Sequence, residues 1–146
     1  MSTDYVWTPT ETLDKFDDDG TMVESAAALA KSVVGHRIVK VEKGSTRTSE
    51  WSDRRDPNGL RLTLDTGRVV TLGGGSDCCA YTGLNAFLFN ADKVDHVITG
   101  LSTENGYERW HIFADAGDVL ELTVSWSCGN PFYYGYGFYI NVEEPS

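Results

Sequence analysis

Two stretches fifty residues apart alternate between apolar and polar side chains and break at the same kind of turn, which limits the possible folds more than any other feature. In "LRLTLDTGRVVTL" (60–72), Leu60, Leu62 and Leu64 share one face, and after Asp65-Thr66-Gly67 the residues Val70 and Leu72 return to it. A period of two belongs to strands. A glycine at the third turn position suits a type I turn closed by a bulge, where a β-carbon would be penalised. In "WHIFADAGDVLELTVSW" (110–126), Asp115-Ala116-Gly117 matches Asp65-Thr66-Gly67, Val119 matches Val69, Leu122 matches Leu72 and Ile112 stands for Leu62. Cys128 falls on Cys78 at the same offset, and "HRIVKV" from His36 resembles "HVITGL" from His96 at an offset of sixty. The chain reads as two copies of a strand, loop and hairpin unit, the first with about ten extra residues.

At 146 residues the chain is long enough for one domain to bury a core without disulfides or metals. Residues 1–20 read as an acidic arm in which Tyr5, Val6 and Trp7 form an extended docking segment, and residues 21–146 as a single domain. Thr21 and Glu24 make a capping box. Met22, Val23, Ala26, Ala27, Ala30, Val33 and Val34 then recur at helical spacing until Gly35 supplies a left-handed stop. Near the carboxyl end, "FYYGYGFYINV" puts Tyr134, Tyr136, Phe138, Ile140 and Val142 on one strand face and Gly135 and Gly137 on the other, where bare backbone lets a helix lie close. The fold class expected is α+β: one amino-terminal helix packed on a mostly antiparallel, twisted sheet of about six or seven strands built from two similar hairpin units.

Twelve basic against 22 acidic residues give a net charge of −10. Asp17, Asp18 and Asp19 concentrate part of that charge in the arm. A polyanion gains nothing from counterion release on a phosphate backbone, so direct nucleic-acid binding is not expected. No stretch reaches the ~20 apolar residues of a membrane span, and the first residues lack the basic and apolar regions of a signal peptide. The expected location is the cytoplasm, where Cys78, Cys79 and Cys128 are reduced thiols.

"GSTRTSEWSDRRDPNG" (44–59) sets Arg47, Arg54 and Arg55 around Trp51 in a chain short of positive charge. Trp and Arg dominate interface energetics, so this loop is a candidate binding element. Its arginines also have Glu50, Asp53 and Asp56 within reach of internal pairing. "GGGSDCCAYTG" (73–83) invites a catalytic reading, but it has neither the lysine nor the spacing of a phosphate loop, and no signature fixes His36, His96 or His111 beside either cysteine. The alternation turns Cys78 and Cys128 inward and Cys79 the opposite way, while the glycines end the hairpin strand and turn the chain. Adjacent cysteines on a strand diverge, and a site made of Cys78, Cys128 and one histidine needs several coincidences. No catalytic residue, metal site or cofactor is assigned, and Glu104, Glu108 and Asp118 read as solvated loop and turn charges. Asp77, Cys78, Tyr134 and Tyr136 form an alternative pocket.

The strings "GGGSDCCAYTG", "ERWHIFADAGDVLELTVSW" and "WSCGNPFYYGYGFYINVE" resemble an uncharacterised family of small acidic proteins encoded by actinobacteria and their bacteriophages. The resemblance spans residues 36–143, and the arm and the 44–59 loop lie outside its best-matching strings. It brings no catalytic residue. It implies an accessory protein that binds and modulates a host protein, through the acidic arm (Asp17, Asp18, Asp19) and the loop carrying Arg47, Trp51, Arg54 and Arg55. Two other readings stay open: a small-molecule binder or enzyme using the Asp77 and Cys78 pocket, and a virion or assembly component.

Overall fold

A computed structural model describes residues 21–48, 54–77, 80–127, 129 and 137–144, with only the backbone described at 76 and 77. The arm (1–20), the loop tip at 49–53 with Trp51, Cys78, Cys79, Cys128 and the segment containing Tyr134 and Tyr136 lie outside the described residues.

The helix α1 spans Thr21–Val33. Met22, Ala26, Leu29, Ala30 and Val33 form its fully buried stripe. Glu24 in the first turn and Lys31 in the last oppose the helix dipole, and Gly35 follows at φ +88° as the expected left-handed stop. Nine strands follow among the described residues: β1 Ile38–Arg47, β2 Arg55–Leu64, β3 Val69–Gly73, β4 Gly75–Asp77, β5 Ala80–Phe89, β6 Gly100–Glu104, β7 Arg109–Ala114, β8 Gly117–Ser127 and β9 Tyr139–Glu143.

They form two antiparallel sheets, ordered β1-β2-β3-β9 and β4-β5-β8-β7-β6. The α+β reading holds at that level, and the expected single sheet of about six or seven strands is corrected to two sheets, of four and five strands among the described residues. The reason lies in the duplication. The meander β1-β2-β3 is the first copy and β6-β7-β8 the second, and each has one apolar face that needs a cover. The strand after each meander crosses to the other sheet: β5 pairs with β8, and β9 pairs with β3. Each copy thereby completes its partner, and a single buried cluster draws on both sheets and α1.

The hairpin registers confirm the paired readings. Leu60 lies opposite Leu72 and Leu62 opposite Val70, while Trp110 lies opposite Leu122 and Ile112 opposite Leu120. All eight are at most 1% exposed. Gly67 and Gly117 both take positive φ, +89° and +114°. The pairing extends to side chains outside the alternation: His36 Nδ1 lies 3.4 Å from Asp65 Oδ1, and its counterpart His96 Nδ1 lies 3.2 Å from Asp115 Oδ1. The two copies meet where Ile98 N–H donates to His36 O at 2.8 Å and Gly35 N–H donates to Ile98 O at 2.9 Å.

Near the carboxyl end, the described part of the aromatic and glycine-rich run packs on α1. The Ser25 hydroxyl donates to Phe138 O at 3.2 Å and accepts from Phe138 N–H at 2.9 Å, and Gly137 N–H donates to the buried Thr82 hydroxyl. Phe138, 7% exposed, meets Trp110 edge to face at 5.5 Å between ring centroids.

Candidate functional site

The glycine run marks the place where the chain leaves one sheet for the other. A β-carbon on Gly73 would lie 1.8 Å from Arg47 O, and one on Gly74 would lie 2.5 Å from Thr82 O. Only glycine lets the end of β1 and the start of β5 approach the backbone so closely. Gly74 N–H, out of the ladder at this corner, donates instead to Asp56 Oδ2 at 2.9 Å. Asp56 reaches it from an irregularity in β2. Between Gly44 and Thr46 of β1 the partner shifts from Gly59 to Asp56, so that Pro57 and Asn58 stand against Ser45 alone and β2 carries one extra residue. Asn58 N–H donates to Asp56 Oδ1 at 2.9 Å, so both carboxylate oxygens are engaged. Bulges of this kind re-aim side chains beside functional sites.

A cleft of about 310 Å³ opens around this junction. One wall comes from the loop of residues 44–59, through Thr48 and Arg54 to Asn58. The other comes from the glycine run and the strand after it, through Gly74, Gly75 and Tyr81 to Leu84. Thr48 N–H and Oγ1 both donate to Arg54 O, at 3.4 and 3.2 Å, and close the neck of the loop. Arg54 and Arg55 are exposed at the rim, with Arg55 Nη1 donating to Ser45 O at 3.4 Å. Tyr81 is 44% exposed, whereas Thr82 and Leu84 are buried beneath it. Two guanidinium groups, a phenol, two hydroxyls and bare glycine backbone line it together with the Asp56 carboxylate, whose oxygens are engaged by Gly74 and Asn58 N–H, and this mixture suits a polar group.

The structure thus brings together two segments that the sequence presents as separate candidates. Arg54 and Arg55 line the cleft directly, and Arg47 contributes the carbonyl that Gly73 accommodates. Asp77 sits opposite Ala80 at the end of β4, two residues beyond Gly75 of the lining. Asp17, Asp18, Asp19, Trp51, Cys78, Tyr134 and Tyr136 lie outside the described residues or, for Asp77, have no described side chain.

A family model described as a domain of unknown function, DUF7448, matches residues 31–140. The chain belongs to the DUF7448 family. The DUF7448 match begins inside α1 and ends in β9, so it takes in both copies of the duplicated unit and both walls of the cleft, including the 44–59 loop. No curated protein and no solved structure matches this DUF7448 chain. No helix among its described residues is long and apolar enough to cross a membrane.

A second group of polar side chains in the DUF7448 domain corrects the reading of Glu104 and Asp118 as merely solvated. His111 Nδ1 lies 2.7 Å from Asp118 Oδ2, and Nε2 lies 3.1 Å from Glu104 Oε1. Glu121, directly across from His111 in the β7–β8 ladder, adds a third carboxylate, paired at 3.2 Å with Arg109 Nη1. Partial burial alone would lower the pKa of His111. The hydrogen bonds to Glu104 and Asp118, with their negative charges, outweigh it and raise the imidazole above its ordinary 6.5. The signal was present in the hairpin register, which sets residue 111 beside residue 121 once the turn at 115–117 is fixed.

Proposed function

We propose that this chain is a non-enzymatic interaction protein that holds a polar or acidic segment of a partner protein in the cleft between its two sheets. In this reading the 44–59 loop and the acidic arm with Asp17, Asp18 and Asp19 extend the contact. The observation that carries it is the convergence of the loop and the glycine run on one cleft whose rim presents Arg54, Arg55 and the half-exposed Tyr81. In a molecule of net charge −10, paired arginines beside an aromatic ring form a local positive site, and Arg and aromatic residues are the usual anchors of interfaces. The resemblance to proteins of actinobacteria and their bacteriophages supports a host protein as the partner and the cytoplasm as the place.

The test is affinity capture from lysate with the wild-type chain beside a variant carrying Arg54→Glu, Arg55→Glu and Tyr81→Ala. A partner retained by the wild type and lost by the folded variant supports the reading. An identical set retained by both removes the cleft from the contact. Once a partner is known, Trp51→Ala is expected to weaken binding by about 2 kcal/mol or more with the Tm nearly unchanged. A large fall in Tm would put Trp51 in the core instead.

A second reading, a small polar ligand, is favoured by the volume, which falls at the low end of the roughly 300–1,000 Å³ of small-molecule sites. Native mass spectrometry of the purified chain decides it, by a bound mass that disappears in the Arg54→Glu, Arg55→Glu variant.

A further inference from the structure

The three histidines all face carboxylates, but only one stands among several. His36 and His96 each pair with one aspartate at the equivalent turn of their copy, whereas His111 is flanked on both ring nitrogens and has Glu121 alongside. One donor atom each from His111, Asp118 and Glu121 lies within 4.8 Å of the other two. A four-coordinate ion with nitrogen and oxygen ligands at about 2.0–2.2 Å needs donor separations of roughly 3.3–3.5 Å, so small rotamer changes close the set. All three side chains are only partly exposed, at 20%, 36% and 24%, so the cluster is open to solvent on one side and held by the sheet on the other.

Two details set this group apart from an ordinary patch of surface charge. Glu104 Oε1 lies 3.1 Å from Nε2, on the far side of the ring from Asp118, so an ion that displaces the proton from Nδ1 leaves the Nε2 proton a carboxylate to donate to. A carboxylate on the far nitrogen is the usual way a ligating histidine is oriented and made more basic. The duplication supplies the second detail. At the fifty-residue offset, the positions of His111, Asp118 and Glu121 are occupied in the first copy by Arg61, Arg68 and Thr71. Arg61 and Arg68 pair with Glu143 and Glu144 at 2.9 Å each. The hairpin itself therefore does not require an acidic histidine cluster. Three carboxylates against Arg109 and one imidazole leave the second copy locally negative even when the ring is protonated.

We propose that His111 Nδ1, Asp118 and Glu121 bind a divalent first-row transition-metal ion, with Glu104 as the positioning residue. An imidazole nitrogen with two carboxylates suits Zn²⁺, Co²⁺ or Mn²⁺ better than Ca²⁺ or Mg²⁺, which favour oxygen alone. Three protein ligands leave at least one coordination position facing solvent. The ion takes the place of the proton between His111 Nδ1 and Asp118, and it competes with Arg109 for Glu121.

Titration of the full chain with Co²⁺, above the ordinary pKa of imidazole, tests this by calorimetry and visible absorption. Expected is one ion per chain without a thiolate charge-transfer band, together with a shift of the His111 ring nitrogen resonances. His111→Gln and Asp118→Asn are expected to remove this binding, and Glu104→Gln, which keeps all three ligands, to weaken it by about 10–100-fold. Arg109→Ala, which releases Glu121, is expected to bind at least as tightly. All four sites lie on the sheet surface, and an unchanged amide spectrum establishes that each variant is folded. Absence of binding by the wild type overturns the proposal. So does binding that survives both His111→Gln and Asp118→Asn, or a thiolate band showing that the cysteines hold the ion.

Discussion

The two copies of the duplicated unit differ most where their first two strands connect. In the second copy, β6 and β7 are joined by Asn105-Gly106-Tyr107-Glu108, a tight turn in which the first three residues all take positive φ. Two indoles hold it: Trp110 Nε1 donates to Tyr107 O at 2.8 Å and Trp126 Nε1 to Gly106 O at 2.7 Å. In the first copy the equivalent strands run longer, the end of β1 folds over the hairpin, and the residues beyond it border the cleft. The substitutions between copies match this difference. Gly59 and Gly73 stand where the second copy has Arg109 and Thr123, and β-carbons on those glycines would strike Thr46 and Arg47. Thr46, 1% exposed, donates from Oγ1 to Leu72 O at 3.2 Å in the space they leave. The first copy has bare backbone where it carries the cleft, while the second has side chains at those positions and fills its turn with aromatic rings.

That contrast predicts unequal costs at matched core positions. Trp110→Ala is expected to lose about 3–5 kcal/mol, because it empties a fully buried site against Tyr107 and Phe138 and also releases the turn carbonyl. Leu60→Ala, at the equivalent position, is expected to cost less within the ~2–5 kcal/mol range for such truncations. Urea unfolding of the two variants measures the difference, and a larger loss at Leu60 would mean that the aromatic-filled turn does not make the second copy the more tightly held of the two.

The glycines give a smaller effect with a sharper direction. Gly73→Ala places a methyl group against backbone that cannot swing away and is expected to cost about 1–3 kcal/mol. The reciprocal change, Thr123→Gly, meets no clash and is expected to cost about 0.5–1 kcal/mol, from strand entropy. Equal melting points for the two variants would mean that β1 does not press on Gly73. Gly83→Ala, with no neighbour within 4 Å of the added carbon, serves as the neutral control.

The alternation of Leu60 to Leu72 and of Trp110 to Val124 made both hairpins, their buried faces and their turns readable from local spacing. The helix was equally plain, because Met22 to Val33 recurs at helical spacing and Gly35 stops it. Local periodicity says which face of a strand is buried but not which sheet receives it, so the crossing of β5 and β9 could not be read. The cleft escaped for the same reason. Asp56 and Gly74 are eighteen residues apart, and nothing in either segment announces their hydrogen bond. The His111 cluster was hidden differently, since an exposed Glu104 or Asp118 looks solvated until the ladder sets a histidine between them.

The paired histidines offer the finest comparison, because the two copies there differ in surroundings and not in kind. Asp65 is 29% exposed and takes both His36 and, at 4.0 Å, Arg37; Asp115 is 82% exposed and, among the described residues, pairs with His96. Exposed pairs are worth about 0–1 kcal/mol, because solvent screens them and ordering two side chains costs entropy. Asp65→Asn is therefore expected to fall at the upper end of that range and Asp115→Asn to leave the unfolding midpoint unmoved, as measured in parallel urea titrations. An effect at Asp115 as large as at Asp65 would show that the retained pair fixes the turn geometry in both copies, since the charge environment alone cannot make an aspartate in open solvent equal to a sheltered one.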